Sequence, residues 1–240
     1  MKILEVKKLS KSYGRKDVVN ELSFSVNDSE VVGLIGPNGA GKTTAFYMTI
    51  GLIHPDNGEV FFQEKNISNT PIHERALMGM GYLAQEPSIF RNLTVEENIL
   101  AILELLDLTQ AEQKAKLDEL LQELHLTKLA KKHAVTLSGG ERRRLEITRA
   151  LARQPSILLL DEPFANIDPL AVQEVKRLIL HLKQKGISIL ITDHNAREIF
   201  SIVDRSYLMR EGKVIVSGSA DELVNNPLAR EHYLGEDFFL

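Results

Sequence analysis

The residues Gly36-Pro37-Asn38-Gly39-Ala40-Gly41-Lys42-Thr43 fill every fixed position of the phosphate-binding pattern G-x-x-x-x-G-K-S/T. A loop of this kind curls backbone N–H groups around phosphate oxygens, and glycines allow the close approach because they carry no Cβ. A helix that starts where the loop ends adds about half a positive charge. Lys42 supplies a full one, Thr43 would set its hydroxyl on Mg2+, and Thr44 extends the same helix start. These residue types in this order point to a bound nucleoside triphosphate.

Two further groups of residues have matching chemistry. Asp161 and Glu162 end the apolar run 157–160, where a buried parallel strand would aim carboxylates into a ligand crevice. Asp161 would hold Mg2+, through water, while Glu162 would orient or deprotonate an attacking water. Adjacent strand residues point to opposite sides, so the two acids can serve different partners. Taken alone they read as a solvated strand end, but the phosphate loop upstream reverses that preference, because a magnesium nucleotide needs such a ligand. Ser138-Gly139-Gly140, followed by Glu141 and a helical stretch over 142–151, is in bare chemistry a helix N-cap whose free N–H groups suit a phosphate. Arg142-Arg143-Arg144 opens that helix; at about 100° per residue the three fan out over roughly 200°, which predicts a solvated, partly ion-paired face.

The elements that must hold these groups are legible as patterns. Residues 31–35 are apolar without alternation, as in a central strand covered on both faces, and 40–52 beyond them read as helix. Residues 157–160 and 187–192 repeat the buried-strand pattern around a helix over 171–185, the rhythm of a parallel βαβ sheet. Residues 3–6, 22–26 and 59–62 read as antiparallel strands, and 207–209 with 214–216 as a closing hairpin. From 94 to 125, leucines and isoleucines recur three and four apart, which predicts an inserted helical segment. The predicted fold class is α/β: a P-loop NTPase (RecA-like) core with a parallel sheet, an antiparallel β subdomain and an inserted α-helical subdomain.

The chain has 240 residues, 43% hydrophobic and 26% charged, which suffices for a packed core and excludes disorder. A net charge of −4 argues against a nucleic-acid partner. No apolar run reaches the ~18 residues of a spanning helix, and the opening residues lack the apolar core of a secretory signal. The absence of cysteine excludes disulfides and thiolate chemistry and fits a reducing compartment.

The phosphate loop, Gln85 after Gly81-Tyr82-Leu83-Ala84, residues 137–141, residues 158–168, and His194 after Ile191-Thr192-Asp193 occur in the order seen in the nucleotide-binding subunits of ATP-binding-cassette transporters. The chain resembles that family along nearly its whole length. The resemblance implies one domain over 1–240, with a catalytic core from 1–91 and 152–240 and a helical subdomain over 92–151. It implies ATP and Mg2+ as cofactors, with Tyr13 stacked against adenine. Ser138, Gly139 and Gly140 would meet the γ-phosphate held by the phosphate loop of a second copy, so that a head-to-tail homodimer completes two sites. Gln85 would sense Mg2+ and the attacking water, His194 would contact the γ-phosphate, and Asp168 would couple the two sites across the interface. Taken alone, His194 reads as an ordinary hydrogen-bonded strand-end residue and Tyr13 as core.

Within the family, the stretch from Gln85 to Asn98, with Phe46, Tyr47, the three arginines and the tail 233–238, is similar to the ATPases of bacterial lipopolysaccharide export transporters. ATPases of branched-chain amino-acid importers are the main alternative, and a P-loop small-molecule kinase is the alternative outside the family. The export reading implies two integral membrane subunits, contacted through Ile89, Phe90 and Arg91. The homodimer would sit on the cytoplasmic face of the inner membrane and not touch the lipid itself. Phe239 stands where that resemblance implies a basic residue.

Overall fold

The computed structural model describes residues 1–239. Three strands, β3 (Val31–Ile35), β7 (Ile157–Asp161) and β8 (Ser188–Thr192), are buried over their whole length. They lie in a six-stranded sheet ordered β10-β9-β3-β8-β7-β6, with β6 spanning Met80–Leu83, β9 Arg205–Arg210 and β10 Lys213–Gly218. All neighbours in it are parallel except the hairpin of β9 and β10. Register aligns the strand ends: Leu34 pairs with Thr192, Thr192 with Asp161, and Leu83 with Leu160. The loops after β3, β6, β7 and β8 therefore leave from one edge of the sheet, where parallel sheets bind ligands.

A second, antiparallel sheet is ordered β2-β1-β4-β5, from β1 (Lys2–Tyr13), β2 (Lys16–Asn27), β4 (Asn57–Phe62) and β5 (Lys65–Asn66). The two long strands exceed the short stretches that alternation predicts. Lys8 at φ 47° and Glu21 at φ 51° sit at register shifts, and each bulge resets the in–out period that would reveal a longer strand.

Helices cover both faces. Alternate residues of the same strands feed two cores: Ile35, Leu158, Leu160 and Ile191 in one, Leu34, Ile157, Leu159 and Leu190 in the other. The second also takes in the antiparallel sheet and α1 (Lys42–Ile50), with α2 (Ile72–Leu77) beside it. The first is roofed by α3 (Val95–Leu103), α4 (Gln110–Glu123), α5 (Gly139–Leu151) and α6 (Pro169–Gln184), then by α7 (Ala196–Phe200), α8 (Ala220–Val224) and α9 (Pro227–Ala229). The helical segment expected over 94–125 consists of two helices. Thr94 caps α3, and Thr109 starts α4 anew by a capping box with Glu112. Among the described residues no helix is long and apolar enough to cross a membrane.

Candidate functional site

The phosphate loop joins β3 to α1 in a conformation that needs its glycines. Gly41 has φ 96°, and a Cβ there would lie 2.4 Å from the carbonyl oxygen of Val18; Gly36 has φ 148°, with the Met209 carbonyl 2.2 Å from its Cβ position. A cavity of about 450 Å³ opens above the loop, lined by Asn38, Gly39, Ala40, Gly41, Thr43 and Thr44 together with Lys42, Glu162 and residues of the β1–β2 hairpin and the β9–β10 turn. Lys42 is buried, and its Nζ donates to the carbonyls of Gly36 (2.7 Å) and Pro37 (3.0 Å). Burial holds its pKa below the usual lysine value, against the charges of Glu162, Asp161 and Asp193.

The acids come from the end of β7. Asp161 is 1% exposed; its Oδ1 accepts from Thr192 Oγ1 at 2.7 Å and its Oδ2 has no partner. Burial raises its pKa, opposed by the Thr192 hydrogen bond. Glu162 occupies the left-handed region at φ 45°, and its N–H donates to the Thr192 carbonyl at 2.9 Å. This turn rotates the Glu162 side chain toward the loop after β6: Gln85 Nε2 donates to Glu162 Oε2 at 2.9 Å, and His194 Nδ1 lies 3.6 Å from the same oxygen. Residues 77 and 32 positions apart in sequence from Glu162 thus meet on one carboxylate. A carboxylate, an amide and an imidazole beside a phosphate cradle can orient and deprotonate a water aimed at a terminal phosphoryl group.

Other predicted residues lie apart from this cluster. Ser138 caps α5 by a full capping box with Glu141, as its bare chemistry predicts. Gly139 and Gly140 pack against Ile167 and Ala171, and none of residues 138–140 lines the phosphate-loop cavity of the same chain. Asp168 caps α6, its Oδ1 accepting from Leu170 N and Ala171 N at 3.0 Å each. Tyr13 ends β1 with its ring half exposed, near Lys11, on the hairpin whose Lys16 and Asp17 line the cavity. Ile89 turns inward, whereas Phe90 and Arg91 are exposed; the Arg149 guanidinium lies 4.6 Å from the Phe90 ring centre.

Several residues that matter here carry no legible signal. The prediction of a solvated face fails for Arg143, which is 6% exposed. Its guanidinium donates to the carbonyls of Ala84, Asp161, Glu162 and Pro163 and to Glu146. The α5 face that it occupies packs on the strand ends, so its charge is met by carbonyls and a carboxylate in place of water. Asp193 is fully buried; it accepts from Asn195 N at 2.9 Å and Phe164 N at 3.3 Å, and burial raises its pKa. Tyr233 donates to the His194 carbonyl at 3.2 Å, and burial pushes its hydroxyl up to about 12. Only a residue run ending in strand β8 could have hinted at Asp193.

A six-stranded sheet, a phosphate loop and a convergent Gln–Glu–His cluster define a nucleotide hydrolase, and the family model described as ABC transporter matches residues 19–165. The chain belongs to the ABC transporter family and is an ATP-binding ATPase. It is 52% identical over 236 residues to the lipopolysaccharide export system ATP-binding protein LptB of Acidithiobacillus ferridurans, covering 98% of each chain. It is 47% identical to LptB of Haemophilus influenzae and 46% to LptB of Escherichia coli, covering all of each. A solved ATP-binding cassette of an ABC transporter in its ADP conformation superimposes with a TM-score of 0.88 at 30% identity, over 98% of this chain and 100% of that one.

Proposed function

We propose that this chain is the ATPase subunit of a lipopolysaccharide export transporter, hydrolysing ATP to drive lipid extraction from the inner membrane. The observation that carries it is the 52% identity to an LptB over 236 residues, 98% of both chains. In this reading residues 1–240 form one domain, with a core of 1–91 and 152–240 and a helical subdomain over 92–151.

ATP binds with its phosphates in the loop 36–43, against Lys42 and the N-terminus of α1. Lys42 exchanges the Gly36 and Pro37 carbonyls for phosphate oxygens, and Thr44 extends the cradle. Tyr13 packs on the base. Glu162 takes a proton from water as the water oxygen bonds to the γ-phosphorus and the bond to the ADP oxygen breaks. Gln85 holds Glu162 Oε2 and the water, and His194 approaches the γ-phosphate. The buried, unpartnered Oδ2 of Asp161 and the oxygens of Thr43 and Gln85 are hard donors of the kind that suits Mg2+ and would hold it. When bound, Mg2+ would neutralise phosphate charge. Because residues 138–140 are absent from their own chain's cavity, they are available to a second copy, which supports a head-to-tail homodimer coupled through Asp168. Phe90 and Arg91, exposed beside the catalytic glutamine loop, would meet two integral membrane subunits and hold the dimer at the cytoplasmic face of the inner membrane; Ile89 braces that loop from inside.

The test is purification of the tagged chain from detergent-solubilised membranes. Co-purification with two integral subunits, and stalled lipopolysaccharide transport on depletion of the chain, are the expected results. Recovery with subunits of an amino-acid importer would overturn the substrate assignment.

A further inference from the structure

Thr192 ends β8 at a position that is 1% exposed, after the apolar run Ile189-Leu190-Ile191. An apolar residue would continue that run, and a buried hydroxyl is unfavourable unless it is hydrogen-bonded. Its shortest contact is specific: Oγ1 donates to Asp161 Oδ1 at 2.7 Å, across the paired ends of β7 and β8, and accepts at 3.3 Å from Glu162 N. Among the described residues no other side chain donates to this carboxylate, and Oδ2 is left buried and without a partner.

We propose that Thr192 is a positioning residue for the metal–nucleotide site: its hydroxyl fixes the rotation of the Asp161 carboxylate so that Oδ2 is the oxygen presented to Mg2+. This rests on the reading of Asp161 as a magnesium ligand. The carboxylate has two equivalent oxygens and a soft terminal torsion. Occupying Oδ1 with a donor from the strand selects which oxygen faces the phosphates before nucleotide arrives. Partners that orient a metal-binding carboxylate in this way are typically worth about 10-fold or more in metal affinity. The Glu162 turn is held chiefly by the backbone: Glu162 N donates to the Thr192 carbonyl at 2.9 Å and only at 3.3 Å to Oγ1. Removing the hydroxyl therefore leaves the shorter of these two bonds in place.

The experiment compares binding of a fluorescent, non-hydrolysable ATP analogue to the full chain in EDTA and in Mg2+. Thr192→Val, which keeps shape and loses the donor, should bind the analogue in EDTA as the unaltered protein does and lose about 10-fold of the tightening that Mg2+ brings. Thr192→Ser should keep that tightening. Thermal unfolding checks that the variants fold, and Thr192→Ala supplies a second hydroxyl-free protein if the valine variant does not. A full Mg2+ gain in the hydroxyl-free protein overturns the proposal. Asp161→Asn separates the two layers: if it also keeps the gain, the magnesium reading of Asp161 falls, and if it alone loses the gain, only the role of Thr192 falls.

Discussion

Arg143 and Glu146 form a buried ion pair one helical turn apart on α5, with Nη1 2.9 Å from Oε2. The pair reaches both ways. Arg143 holds the carbonyls at the end of β7, and Glu146 Oε1 accepts from Ser88 N in the loop that follows Gln85. The helix that begins with Ser138-Gly139-Gly140 is thereby fastened to the groups around Glu162.

Glu146→Ala should destabilise the protein by about 3–5 kcal/mol, because it strands a buried guanidinium. Denaturant unfolding measures this. A loss below about 1 kcal/mol would show that water reaches Arg143.

Glu162→Gln should bind ATP normally and turn over about 10²–10⁴ times more slowly, the usual worth of a general base. Phosphate release and nucleotide binding are read on the same preparation. Near-normal release would take Glu162 out of the base role.

Asp161→Asn separates stability from activity. Burial raises the Asp161 pKa in the folded protein, so the folded state binds the proton more tightly than the unfolded chain. Stability from this group is therefore greatest at acid pH and is lost as pH rises from the unfolded value through the raised one. At pH 7, where the unfolded carboxyl is ionised, burying this group is a net cost to folding. The asparagine keeps an oxygen for Thr192 and carries no charge, so its melting temperature at pH 7 should rise, by about 2–4 °C per kcal/mol recovered, while hydrolysis is lost. A lower melting temperature than the unaltered chain's would refute this.

Ile89 and Phe90 are adjacent and opposite in consequence. Ile89→Ala should cost about 2–5 kcal/mol of stability through the cavity it leaves. Phe90→Ala should leave folding and basal hydrolysis intact and abolish assembly with the membrane subunits. Undiminished assembly would reduce the ring to local packing against Arg149.

Most of the catalytic edge is readable in sequence because its chemistry is local. The phosphate loop is eight consecutive residues, and Asp161 and Glu162 follow an apolar strand directly. The convergence of Gln85 and His194 on Glu162 follows from strand order and register, which the family resemblance carries and local patterning does not. Arg143 was hidden for a physical reason: three successive arginines look solvated, and only the packing of α5 on the ends of β6 and β7 shows the middle one surrounded by carbonyls. Thr192 was hidden because a threonine ending an apolar strand is unremarkable until its neighbour across the ladder proves to be an acid. The three-and-four periodicity stops at Leu106 and resumes at Leu117, and the start of α4 between them is set by the Thr109 cap.

Leu34, Thr192 and Asp161 stand in a single row of hydrogen-bonded rungs. That row works as a ruler: the reactive groups take their spacing from a common datum in the backbone. Displacing one against another would require a strand to slip by a whole rung, and a slip of one residue turns every side chain of that strand to the opposite face. Helices and surface loops that carry or brace none of those groups can drift or be exchanged without recalibrating the chemistry.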